Sequence, residues 1–198
     1  MNLFKVSGLI LGFLAFGSFQ PVDASSWLTG KGPVTGSGTL VTVSYNGLPL
    51  HVLVGERCTT AGLGLWDIPG GGCEPSDGSP LDTATREFFQ ETRVQLPGAP
   101  TAYGINERSK NRPEDGRFQT FIYRNAVIDV PAIRASREHS KMGLVDLMSF
   151  VDHIRSGFTA PLFTSFLATE YSPMAPGREE VKFWRPVKGT LVHAVDVL

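Results

Sequence analysis

Glu87 and Glu91 stand four residues apart in the run Arg86-Glu87-Phe88-Phe89-Gln90-Glu91. On a helix this spacing puts both carboxylates on one face, where like charges cost about 0.2–0.5 kcal/mol. A divalent cation turns that repulsion into coordination, because hard ions such as Mg2+ take carboxylate and carbonyl oxygens. The chain reaches this pair through a glycine-rich stretch, Gly70-Gly71-Gly72-Cys73-Glu74-Pro75-Ser76-Asp77-Gly78-Ser79-Pro80.

Local chemistry predicts a helix from there. Ser79 suits the N-cap and Pro80 the first helical position, where its missing N–H costs nothing. Asp82 complements the helix dipole. Leu81, Ala84, Phe88 and Val94 supply an apolar stripe, with Glu87, Gln90 and Glu91 on a neighbouring polar face, and Pro97-Gly98 end the element. Before it, alternation over Thr39–Tyr45 predicts a strand, Asn46-Gly47 a turn and Leu48–Arg57 a second strand, together a hairpin. Leu65–Ile68 reads as a short third strand. Later strands are expected over Ala102–Glu107 and Phe118–Arg124, the two flanking a charged loop, Lys110 to Arg117. A strand running into a helix is expected over Gly143–Ile154, a helix over Thr164–Tyr171, and a hairpin over Glu180–Val187 and Thr190–Val197. Many strands with few helices and no regular βαβ alternation favour an α/β fold, a mixed sheet packed between helices.

These residues resemble the Nudix hydrolases, whose box reads G-x5-E-x7-R-E-U-x-E-E-x-G-U, U being apolar. From Gly72 the register runs to Arg86-Glu87, Phe88, Gln90-Glu91, Arg93 and Val94, and Leu65-Trp66-Asp67-Ile68-Pro69-Gly70-Gly71 is similar to the W-x-x-P-G-G that precedes it. The box is degenerate: its early glutamate falls on Gly78, one of its adjacent acids becomes Gln90, and its late glycine becomes Arg93. The resemblance implies an α/β/α sandwich and metal-dependent hydrolysis, weak here, of a phosphoanhydride in a nucleoside diphosphate linked to another group. It implies Glu87 and Glu91 as ligands of Mg2+ (or Mn2+), Glu87 also helping to activate water. The Gly71 or Gly72 carbonyl, and Gln90 through its neutral amide oxygen, would join the ligand set. Arg86 would hold the loop through Asp77 or Glu74. The alternative is a non-catalytic binding module of the same fold. A third reading takes Glu138 or His139 as base, though both read more simply as solvated loop residues. His51 and Trp66 read as structural.

The 198 residues, 41% apolar and 19% charged, suit one domain with a full core. A net charge of −1 provides no basic footprint for a nucleic acid polymer; a small nucleotide needs only a local cation and a few donors. Met1–Lys5, an uncharged run from Val6 to Phe19 and Pro21-Val22-Asp23-Ala24 form the three-part layout of a secretory signal. Residues 1–24 are therefore expected to export the chain, periplasmic or secreted, with an uncleaved membrane anchor or a buried element as alternatives. Residues 25–38 read as a linker and 39–198 as the domain. Cys58 and Cys73 are the only cysteines; export permits a bridge between them, and two unpaired thiols are the alternative.

Overall fold

The computed structural model describes residues 34–107, 116–194 and 198. The signal segment lies outside the described residues, as do residues 25–33 of the expected linker and 110–115 of the charged loop. Strands β1 (Val34–Val43), β2 (His51–Arg57), β3 (Trp66–Asp67) and β4 (Gly70–Gly72) precede helix α1 (Pro80–Thr92). Then come β5 (Ala102–Glu107), β6 (Arg117–Tyr123), β7 (His139–Asp146), α2 (Leu147–Arg155), β8 (Leu162–Ala168), β9 (Ala175–Pro176), β10 (Glu180–Val181) and α3 (Arg185–Ala194).

The strands lie in the order β10-β8-β7-β2-β1-β6-β5, with β3 on β2, β4 on β1 and β9 on β8. Strand β1 runs parallel to β6 and antiparallel to β2 and β4, so the sheet is mixed. One face carries Val41, Val43, Leu53, Met142 and Leu144 against Ala84 and Phe88 of α1. The other packs Leu40, Val52, Val54 and Val145 against Phe150 and Ile154 of α2 and Leu191 of α3. The result is the expected α/β/α sandwich. Asn46 and Gly47, at φ 52° and 69°, make the turn between β1 and β2, the double left-handed geometry that Asn-Gly favours.

Strands β1 and β2 stay paired only at Thr42–Val52 and Val43–His51. Farther from the turn they part, and each takes a new antiparallel partner. Gly36–Gly38 of β1 pair with Gly70–Gly72 of β4, while Gly55 and Glu56 of β2 pair with Asp67 and Trp66 of β3. The functional residues gather at this divergence.

Four expectations are corrected. The segment 34–38, read as linker, is the first half of β1: a Cβ on Gly38 would lie 2.7 Å from the Pro69 carbonyl, so its glycine answers a close strand approach. Helix α1 stops at Thr92, before Pro97-Gly98. Arg93 turns left-handed at φ 66° and its N–H reaches the Phe89 carbonyl, while Thr92 Oγ1 donates back to the Phe88 carbonyl at 2.7 Å. Thr164–Tyr171 belongs largely to strand β8, whose burial alternates along its length; period 2 wins over helix propensity. The expected C-terminal hairpin is the short β10 followed by helix α3, with Pro186 in its first turn and Leu191 fully buried against the sheet.

Candidate active site

Helix α1 is positioned by its cap. Ser79 Oγ accepts the Asp82 N–H at 3.1 Å, and Phe88 and Ala84 anchor the inner face at 0% exposure. Glu87 and Glu91 consequently point into the protein, 7% and 3% exposed. The expected common polar face does not form, because Gln90 stays exposed.

Both acids meet the glycine bend. Glu91 Oε2 accepts the Gly70 N–H at 2.8 Å. The Glu87 carboxylate lies against Gly71, where a Cβ would come within 2.5 Å of it, so a larger residue there displaces the carboxylate. Burial, foremost, pushes the Glu87 carboxyl above the usual glutamate range. The Glu91 carboxyl is pushed well above it by burial, followed by the nearby Asp67 charge. Two buried carboxyls whose hold on a proton is raised by burial are a poor structural choice and a suitable cation site.

Arg86 ties the loop to the helix. Its Nε and Nη2 donate to the two oxygens of Asp77 at 3.0 and 2.9 Å, Nη1 donates to Glu87 Oε1 at 2.7 Å, and Nη2 also reaches the Gly72 carbonyl at 3.0 Å. Of the two candidate acids, Asp77 makes the bidentate bond, whereas Glu74 is a looser contact at 3.2 Å to Nη1 with its side chain 56% exposed. Asp77 also accepts the Glu74 N–H and the Thr83 hydroxyl, each at 2.8 Å. The Arg86 bonds foremost hold its carboxyl well below the usual range. The chain thus replaces the missing early glutamate with an aspartate one residue earlier.

The donor set fits a hard divalent cation through two carboxylates and backbone carbonyl oxygen, since Mg2+ commonly binds through one or two carboxylates completed by waters and substrate phosphates. Gln90 contributes less directly: its Oε1 accepts from Arg86 Nη1 at 3.3 Å. The Gly72 carbonyl likewise shares its oxygen with Arg86. Among the described residues, no group of three or more His, Cys, Asp or Glu could hold a metal ion, so Glu87 and Glu91 would carry the protein's charge toward it.

His139 overturns its expected place on a solvated loop. It opens β7, is 2% exposed, and its Nε2 lies 2.8 Å from Asp67 Oδ1. The sequence pattern marks neither Asp67 nor His139 as a neighbour of Glu91; its one available signal is an acid within the apolar run Leu65-Trp66-Asp67-Ile68. Glu138 is exposed. His51 is structural, its Nδ1 2.7 Å from the Pro49 carbonyl, and Trp66 is core. Cys58 and Cys73 are free and exposed, which leaves the bridge unformed.

No curated protein matches this sequence. Solved structures to which it is similar include a C. elegans Ap4A hydrolase binary complex, 15% identical over 59% of this chain and 83% of that one, TM-score 0.44. A bifunctional NMN adenylyltransferase/ADP ribose pyrophosphatase from Francisella tularensis, complexed with AMP and a manganese ion, is 22% identical over 59% of this chain and 35% of its own, TM-score 0.41. A Nudix hydrolase from M. smegmatis is 15% identical over 83% and 87%, TM-score 0.44. The family model of the NUDIX domain matches residues 39–164, spanning the divergent strands, the glycine bend and the acidic helix, and the chain belongs to that family.

Proposed function

We propose that the protein is a metal-dependent hydrolase of a phosphoanhydride in a small nucleoside diphosphate derivative, working weakly because its box is degenerate. The reading is carried by one observation: both acids of α1 face the glycine bend, Glu91 bonded to Gly70 and Glu87 packed on Gly71. Glu87, Glu91 and the Gly71 or Gly72 carbonyl would hold Mg2+ or Mn2+, which when bound neutralises phosphate charge. Glu87 would accept a proton from the attacking water, the role that the resemblance implies for it. The water oxygen forms the new bond to phosphorus as the anhydride P–O bond breaks. Arg86 keeps Glu87 oriented through its direct bond and keeps the loop in place through Asp77.

The test is a Mg2+ and Mn2+ titration with a panel of nucleoside diphosphates joined to sugars, nucleosides or phosphate. Metal-dependent release of the two phosphorylated products, lost in Glu91→Gln, is the expected result. The second reading, a binding module that retains the fold without the chemistry, is favoured by Gln90, whose amide oxygen bonds Arg86. Tight ligand binding with neither metal nor turnover would establish it. We propose also that residues 1–24 export the chain. N-terminal sequencing of the product recovered outside the cytoplasm checks this, and a start at Met1 counts against cleavage.

A further inference from the structure

The second carboxylate of the site is held on one side by Gly70 and faces a buried histidine on the other. Strand β2 makes room for it at Gly55: a Cβ there would fall 2.5–2.8 Å from the imidazole of His139. The ring is fixed at its far end, where Nε2 bonds Asp67 Oδ1 at 2.8 Å. Asp67 is itself fixed, its Oδ2 receiving Arg57 Nη1, and the Arg57 guanidinium lies 4.2 Å from the centre of the Trp184 ring. An ionised carboxylate only accepts, so Nε2 carries the hydrogen and the ring orientation is set.

That leaves Nδ1. It is buried with no hydrogen-bond partner among the described residues, an unfavourable state for a polar atom. It faces Glu91 Oε1 at 3.6 Å, beyond hydrogen-bond length but within reach of a small turn of the carboxylate. The other oxygen, Oε2, is already anchored on Gly70. Across that gap the imidazolium form, with a hydrogen on each nitrogen, would donate from Nδ1 to Oε1 and leave the ionised carboxylate with both oxygens held from the sheet side.

We propose that His139 is a positioning residue, with Asp67 and Arg57 fixing the ring so that Nδ1 orients Glu91 toward the cation. Outer partners of this kind typically change metal affinity by about 10–100-fold when removed. The inference rests on the reading of Glu91 as a cation ligand and is tested apart from it.

The experiment measures Mn2+ binding by electron paramagnetic resonance, without substrate, in the native chain, His139→Gln and His139→Asn. The Asn amide falls near the place of Nδ1 and can still serve Glu91, whereas the longer Gln amide reaches toward Asp67. His139→Gln should weaken Mn2+ binding about 10–100-fold, and His139→Asn should recover most of the loss. Unchanged binding in His139→Gln overturns the proposal, as does an equal loss in both variants, which would assign the residue to packing alone. A native chain that binds no Mn2+ overturns this proposal and the metal reading together. Should His139→Gln fail to fold, the native chain answers: the Nδ1 resonance of His139 must shift on saturation with Mg2+, and an unmoved resonance overturns the role.

Discussion

Substituting adjacent glycines of the bend by alanine should separate folding from function. At Gly71 a Cβ would lie 2.5 Å from Cδ and Oε1 and 2.8 Å from Oε2 of Glu87. Ordinary contact needs about 3.5 Å, so the carboxylate must retreat by roughly 1 Å. The obstacle is the end of a flexible side chain, and Gly71 lacks a positive φ, so alanine also gains about 0.4–1 kcal/mol by restricting the unfolded chain. Gly71→Ala should therefore fold with a stability within about 1 kcal/mol of native. Misplacing a reacting group by about 1 Å costs on the order of 100-fold in rate, and kcat/KM with Mg2+ should fall accordingly. At Gly70 the same atom would meet backbone, 2.5 Å from Gly38 Cα and 2.6 Å from the Ser37 carbonyl. Backbone in a paired sheet cannot yield, so Gly70→Ala should lose the fold. Gly104→Ala, with nothing within 4 Å, is the control for both. Urea denaturation and steady-state kinetics on the three variants decide the matter. A Gly71→Ala enzyme at native activity would refute the placement of Glu87 as a working group, and one that unfolds like Gly70→Ala would refute the separation.

Arg93 holds a left-handed backbone at φ 66° with an exposed side chain, which costs an L-residue about 1–2 kcal/mol; Arg93→Gly should exceed Arg93→Ala in urea-denaturation stability by about 1 kcal/mol, and equality would place no strain there. The raised Glu87 and Glu91 carboxyls bind protons more tightly folded than unfolded. The metal-free chain should therefore lose thermal stability as pH rises above the ordinary glutamate range, and saturating Mg2+ should flatten that decline; a metal-free Tm that climbs steadily to pH 8 would contradict it. Asp77 works in the opposite sense, its bond to Arg86 stabilising the fold above the ordinary aspartate range and being lost as pH falls, so Asp77→Asn should flatten the acid limb of the same Tm profile. Gln90→Glu restores a negative charge beside Arg86 and the acid pair and should raise Mg2+ affinity by about fivefold or more in calorimetry; no change would mean that the cation lies out of its reach.

The α1 segment was legible because local rules agree there. A capping serine, a first-turn proline and an apolar stripe all specify the same helix. The hairpin at Asn46-Gly47 and the strand expected over Phe118–Arg124, found at Arg117–Tyr123, were legible for the same reason. The C-terminal third was not. Leu162–Ala168 alternates weakly in sequence, and its strand state comes from pairing with β7 and with Glu180-Val181. Residues 185–194 carry a glycine and several β-branched residues, yet Leu191 finds its place in the core only as part of a helix. His139 was missed because its role arises from three segments distant in sequence, Gly55, Asp67 and Glu91, that only the folded sheet brings together. Arg86 was foreseen as the loop clamp, but the choice of Asp77 over Glu74 needed the geometry of its two parallel bonds.

The short pairing between β1 and β2 has one further effect. It makes the sheet two leaves joined along a narrow spine, one bearing Gly70 and the other His139, with Glu91 bonded to the first and facing the second. The gape between the leaves is bridged by residues 66–72, of which Trp66 and Ile68 lie in the apolar core. A change of volume at those two residues would alter the gape and slacken or pinch the carboxylate, so that tuning of this centre can come from the oily interior with every charged group left in place.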